Sequence, residues 1–309
     1  MTRRRTAMTA ALAAAALVPT LLSAAPAAAA TPQVTCVSKK PGLATKLVKD
    51  INAALKGRQS TTAIYMYDRI SDTTCQLRGT TKFDSASIVK STVLAALLHD
   101  AERAKRNLTT REKTLAKAMI TKSDNDSTTA LWKQLGTAKI QRFLTAAGMT
   151  QTVPGANGYW GLTQITARDQ AILLSRLMRK NTVLSDASRT YALGLMRDVV
   201  SSQRWGTPAG APSTATVQLK NGWLPRKTYG WRVHSIGAFT GKAHDYSIVV
   251  LTQNNKTMQD GVNTIQAVAK AIHKDITPKA RGVFVPTGVP QGSVPATPEM
   301  GPISSIKAG

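Results

Sequence analysis

Acid is what this chain has least of. Its 309 residues carry 16 Asp and Glu against 41 Lys and Arg, a formal charge of +25. Between Asp126 and Asp169 there is no acidic residue at all. Histidine is equally sparse: His99, His234, His244 and His273 lie far apart, and none forms a pair at metal-ligand spacing. That excludes the usual zinc patterns, and no metal or other cofactor is expected. There is no interleaving of aromatic and basic residues and no nucleic-acid signature, so nucleic acid is not an expected partner. Beyond residue 30 no stretch is long and apolar enough to span a bilayer. A positive surface of this kind favours polyanions, and an anionic cell-wall polymer is one candidate partner; a plain basic exoprotein is the alternative.

Residues 1–30 have their own grammar. Arg3-Arg4-Arg5 is a charged start, Ala10 to Leu22 an apolar middle, and Ala27 to Ala30 a small-residue cleavage region. This is a secretory signal peptide rather than a spanning helix, because the apolar run is short and alanine-rich. Its removal takes away three arginines and leaves +22. A secreted, extracellular protein is the expectation. Only Cys36 and Cys75 are present. After export they form one disulfide; two free thiols or a lipidated Cys36 are the alternatives, the latter without the usual residues before it.

The remaining residues, 31–277, are enough for one domain with a substantial core. Leu47, Val48, Ile51 and Leu55 have helical spacing within Leu43 to Leu55, and Gly57 stops the helix. Thr62 to Asp68 and the segment around Cys75 to Arg78 read as a strand pair. From Ser87 to about Arg197 the pattern is helical: Ser87–Arg106, Arg111–Met119, Ser127–Leu135, Lys139–Ala147 and Ile172–Met178. An irregular stretch runs from Thr150 to Ile165. Strand signals return at Thr216–Lys220, Trp231–Phe239 and Tyr246–Thr252, before an amphipathic helix from Gly261 to His273. The expected fold is α+β: an antiparallel sheet from both chain ends, flanked by helices, with an inserted all-α lobe. The α/β lobe takes 31–84 and 205–277, the helical lobe 85–204. A Pro- and Gly-rich tail, 278–309, is read as disordered or loosely attached.

Three short motifs carry the chemistry. Ser87-Ile88-Val89-Lys90 puts a hydroxyl and an amine one helical turn apart. A neutral lysine there can take the serine proton and make a nucleophile. Ser123-Asp124-Asn125 falls in a loop between helices, and Lys220-Asn221-Gly222 ends a strand. Each is ordinary alone: Ser304-Ser305-Ile306-Lys307 repeats the first in the tail, and Asp124 reads as a helix-start residue. Together they can supply a nucleophile, a base, a proton route and a cation.

Serine and lysine, then Ser-Asp-Asn, then Lys-Asn-Gly resembles the motif trio of class A β-lactamases and penicillin-binding proteins. The resemblance runs from about Leu43 to Lys274 and extends to the secreted β-lactamase-like serine hydrolases of actinobacterial type. It implies that Ser87 attacks an amide or lactam carbonyl, with the Ser87 and Trp223 N–H groups as the oxyanion hole. It implies that Lys90 is the base and that Ser123 passes a proton to the leaving nitrogen. Asn125 would hold a substrate amide, and Lys220 with Asn221 its carboxylate. Gly222 would leave room for substrate along the strand edge. Substrates would be β-lactams or peptidoglycan-type peptides.

Two departures qualify it. Asn221 stands where the family has Thr or Ser. The loop glutamate that activates water in class A enzymes has no counterpart: Pro154-Gly155-Ala156-Asn157-Gly158-Tyr159-Trp160 occupies its place. An acyl-Ser87 hydrolase with slow deacylation is therefore expected, ahead of an efficient class A β-lactamase or a catalytically retired wall-polymer-binding protein. Arg232 and His234 are further cleft candidates, while Trp160, Trp205, Trp223 and Trp231 read as packing residues.

Overall fold

The computed structural model describes residues 33–278, 280 and 282–287. The expected signal peptide, residues 1–30, lies outside them. The chain begins with β1 (Thr35–Val37), α1 (Leu43–Leu55), β2 (Thr61–Asp68), β3 (Thr73–Leu77) and β4 (Phe83–Asp84). Helices α2 (Val89–Arg103), α3 (Thr110–Thr121) and α4 (Asn125–Ala147) follow. Then come β5 (Gln164–Ile165), α5 (Ala167–Met178) and α6 (Asp186–Arg197). The chain returns through β6 (Thr216–Pro225), β7 (Trp231–Gly241), β8 (His244–Asn255) and α7 (Met258–Ile276).

Local chemistry fixes the element ends. Thr109 and Glu112 form a reciprocal capping box on α3, and Thr257 and Asp260 do the same on α7. Thr166 accepts the Asp169 N–H to cap α5. Gly136, at φ 66° and ψ 163°, breaks α4 into the two helices expected on either side of it.

The main sheet has the order β1-β3-β2-β8-β7-β6, and every pairing is antiparallel. Strands from both chain ends meet where β2 pairs with β8, as the resemblance implied. Cys36 and Cys75 face each other in the β1–β3 register and are joined by a disulfide. Most of β7 and β8 is buried, which requires cover on both faces. Helices α1 and α7 supply one layer and α5 the other. Helix α2 is buried all round from Val89 to His99, as befits a helix at the centre of the helical block.

Two expectations need correction. The strand holding Lys220 does not end there. β6 continues through Gly222 to Pro225, so the Lys-Asn-Gly motif is mid-strand. Gly222 marks a close approach of the strand to the Ser87 turn: a Cβ on it would lie 2.8 Å from Ile88 N and 2.9 Å from Ser87 N. The tail is not loose at its start. Val283 bridges Pro212, and Phe284 N–H donates to the Ala211 carbonyl at 2.7 Å. The N–H groups of Gly210 and Ser213 and the carbonyl of Ala211 thereby find partners in the tail.

Candidate active site

Ser87 sits in a 3₁₀ turn, Ala86–Ile88, that leads directly into α2. The preceding Ala86 has φ 46°, a left-handed conformation that a residue with a Cβ adopts at a cost. Ser123, opposite, has φ 59°. Its loop is held because Asp124 caps α4, accepting the Ser127 N–H at 2.7 Å, the structural role expected for it.

The three motifs, far apart in the chain, meet. Lys90 Nζ donates to the Ser123 carbonyl at 2.5 Å and to Asn125 Oδ1 at 2.8 Å, and lies 3.1 Å from Ser123 Oγ. Lys220 Nζ reaches the same Ser123 Oγ at 2.9 Å and the Asn221 carbonyl at 2.8 Å. One hydroxyl thus bridges two buried amines, both 0% exposed. Among the described residues Lys90 makes no hydrogen bond to Ser87. Ser87 itself is 5% exposed and is packed against Gly222 through its backbone.

Burial is the main cause of the electrostatics. It drives the Lys90 amine well below the ordinary lysine range, with the Lys220 charge adding to the effect and Asp124 opposing it. Burial brings Lys220 to about 7. The Trp160 ring lies against Lys90, its centroid 5.0 Å from Nζ. A cation–π contact favours the ammonium by about 2 kcal/mol when desolvated. Burying an ammonium without a carboxylate costs several kcal/mol. Burial therefore favours the neutral amine.

The other expected site residues divide. Asn125 is in the cluster through its Oδ1. Trp223 follows Gly222 on β6, with its indole packed 5.7 Å from that of Trp205. Asn221 does not present its amide to the cleft. Nδ2 donates to the carbonyls of Gln203 at 2.7 Å and Trp205 at 3.0 Å, so strand alternation sends it to the face opposite a substrate. Nor do Arg232 and His234 join the cluster. Arg232 pairs with Asp84 at 3.1 Å. His234 is bound between the Asp84 carbonyl and the Thr252 N–H. Trp160 is the residue the sequence undervalues. It is buried as packing predicts, but its partner is Lys90, and a lone tryptophan in an irregular loop carries no signal of that. Among the described residues no group of His, Cys, Asp or Glu could hold a metal ion, and no helix is long and apolar enough to cross a membrane.

The fold has counterparts among known proteins. The profile of a family described as "Beta-lactamase enzyme family" matches residues 46–114 and 107–276. A β-lactamase of Xanthomonas campestris superposes with a TM-score of 0.64 at 18% identity, covering 74% of this chain and 97% of that one. A β-lactamase of Sphaerobacter thermophilus gives 0.63 at 19%, covering 75% and 97%. The L2 protein, solved in complex with relebactam, gives 0.63 at 18%, covering 73% and 94%. No curated protein matches the chain in sequence.

Proposed function

The chain belongs to the beta-lactamase enzyme family, and from that premise we propose that it is a secreted serine hydrolase working through an acyl-Ser87 intermediate on β-lactam or peptide-like amides. The observation that carries this reading is the single Ser123 hydroxyl held between two buried amines. Counting hydrogens gives it a direction. A neutral Lys90 has two N–H groups, which go to the Ser123 carbonyl and Asn125 Oδ1, and one lone pair, which can accept the Ser123 O–H. Ser123 Oγ then accepts from Lys220. The order Lys220 to Ser123 to Lys90 is a proton relay that ends on a free base.

In the reaction Lys90 exchanges one of these contacts for the Ser87 hydroxyl and takes its proton as Oγ attacks the carbonyl carbon. The N–H groups of Ser87 and Trp223 receive the developing oxyanion, and Gly222 lets the strand approach Ser87 closely enough for both to serve. Ser123 passes a proton to the leaving nitrogen and recovers one from Lys90, which is thereby neutral again in the acyl-enzyme, while Lys220 keeps its charge. Asn125 lies beside Lys90 to receive a substrate amide. Lys220 alone is left to attract a carboxylate, since Asn221 faces away. Deacylation is slow, because the loop before α5 offers no carboxylate to activate water.

The test is intact mass spectrometry during exposure to a penicillin. An adduct should form on the native protein, persist, and be missing from Ser87→Ala; equal labelling of the two proteins would end the proposal. Steady nitrocefin turnover, rather than a burst that stalls, would instead favour an efficient β-lactamase.

A further inference from the structure

The Lys90 amine is enclosed on every side. Beyond its bond to Cε, Nζ has three tetrahedral directions, two taken by its hydrogen bonds to Ser123 O and Asn125 Oδ1 and the third by the hydrogen bond it shares with Ser123 Oγ. The Trp160 ring lies over what remains. That indole is clamped. It is 0% exposed, and Nε1 donates to Thr129 Oγ1 on α4 at 3.1 Å. The backbone carbonyl of Trp160 receives the Ser85 hydroxyl at 3.4 Å, two residues from the nucleophile, so this residue touches α4 and Lys90 through its indole and the Ser87 turn through its backbone. The charged groups facing Lys90 are Lys220 from β6 and Asp124 from the head of α4. Asp169, which closes the acid-free stretch, is occupied by the Gln151 N–H and the Thr152 hydroxyl.

We propose that Trp160 is a positioning residue that sets the lifetime of the acyl-Ser87 ester by sealing the Lys90 amine from water. Hydrolysis of that ester needs a water held by a base: its oxygen bonds to the acyl carbon, the carbon–Oγ bond breaks, and a proton passes from water to Ser87 Oγ. Lys90 is the base within the cluster, and ring carbons cover the side from which it could hold a water. Loss of a carboxylate alone would leave room for water beside the amine; a buried indole removes the room as well. Shortening Trp160 to alanine would reverse this. The void would be lined by the Lys90 amine and the Thr129 hydroxyl freed of its donor, and a cavity with two polar partners fills with water.

The inference rests on the acyl-Ser87 reading, and one experiment separates the two. Adduct lifetime after a penicillin pulse is followed by intact mass in native protein, Trp160→Phe, Trp160→Ala and Thr129→Val. The acylation rate is measured against pH in the same set. Trp160→Ala should shorten the lifetime by about tenfold or more, and Trp160→Phe by no more than about twofold. Thr129→Val, which frees the indole without opening a void, should move in the same direction as the alanine and keeps the test alive if that variant does not fold. Hydration of Lys90 should also displace the rising limb of the acylation profile to higher pH, which a merely structural loss would not do. Equal lifetimes in native protein and whichever of Trp160→Ala and Thr129→Val folds, or a phenylalanine variant as short-lived as the alanine, overturn the inference alone. Failure of the native protein to form any adduct overturns it together with the acyl-Ser87 reading.

Discussion

Two buried polar networks invite comparison: one under α7 and one in the cleft. Under α7, Tyr246 donates its hydroxyl to His273 Nδ1 at 2.9 Å, and His273 Nε2 donates to the Thr207 carbonyl at 2.9 Å. Thr207 and Ser235 close the chain at 2.9 Å. Burial lowers His273 to about 4, so the ring is neutral and both its nitrogens are paired. In the cleft, two amines crowd one hydroxyl, between backbones in left-handed conformations at Ala86 and Ser123. Both networks contain bases depressed by burial. The difference is that both ring nitrogens of His273 are committed to fixed partners, while the Ser123 hydroxyl is shared by two amines, and a shared proton is what chemistry needs.

Substitutions should separate the two sharply. Lys90→Met removes the base and should lower the acylation rate by on the order of 1000-fold. It should leave thermal stability unchanged or raise it, since a buried charge-capable group gives way to an apolar one. His273→Ala should do the reverse. It strands the Tyr246 hydroxyl and the Thr207 carbonyl, costing about 2–4 kcal/mol in denaturant unfolding, with acylation by the folded fraction little altered. Parallel loss of stability in both variants would erase the distinction.

A titration sharpens the same contrast. His234 and His273 are both held near 4 in the folded protein, against an ordinary 6.5. Below 6.5 the unfolded chain binds protons that the folded chain refuses, so stability should fall as pH drops from about 6.5 to about 4. The loss is up to about 3 kcal/mol for each ring. Acylation should follow other groups: rising with pH as Lys90 loses its proton, then declining above about 7 as Lys220 loses the charge that attracts a substrate carboxylate. Denaturant midpoints and acylation rates across pH 4 to 9 would show whether the two profiles are distinct.

The smallest effect should come from Asn221→Thr. A threonine cannot reach both the Gln203 and Trp205 carbonyls, so the segment leading to β6 should loosen, at about 1 kcal/mol. Acylation by carboxylate-bearing substrates should change less than about tenfold, because the native amide does not face them. A larger loss in acylation would return Asn221 to the substrate side.

Much of this was legible in the chain. The hairpin of β2 and β3, the helix Leu43–Leu55 and the Gly136 break follow from periodicity and punctuation, and the Cys36–Cys75 disulfide from residue type and compartment. The motif trio located the cluster before any coordinates did. What misled was ending the strand at the Lys-Asn-Gly motif, when β6 runs on past the Ser87 turn to Pro225, and carrying a ligand role to Asn221 from the resemblance. Adjacent residues on a strand point to opposite faces, and which face meets the cleft is set by what lies beside the sheet. The Val283 bridge to Pro212 was likewise invisible, since a tail's backbone pairing leaves no trace in composition.

By itself, the sequence determined which segments are helices and strands, which of their faces are buried, and which side chains have the chemistry for acyl transfer. Those properties depend on neighbours a few positions away. Only the tertiary structure decided that Ser123 lies between two amines, that Asn221 turns from the cleft, and that Trp160 covers Lys90. Each of these depends on where the ends of elements distant in the chain come to rest in three dimensions, and no local pattern encodes that.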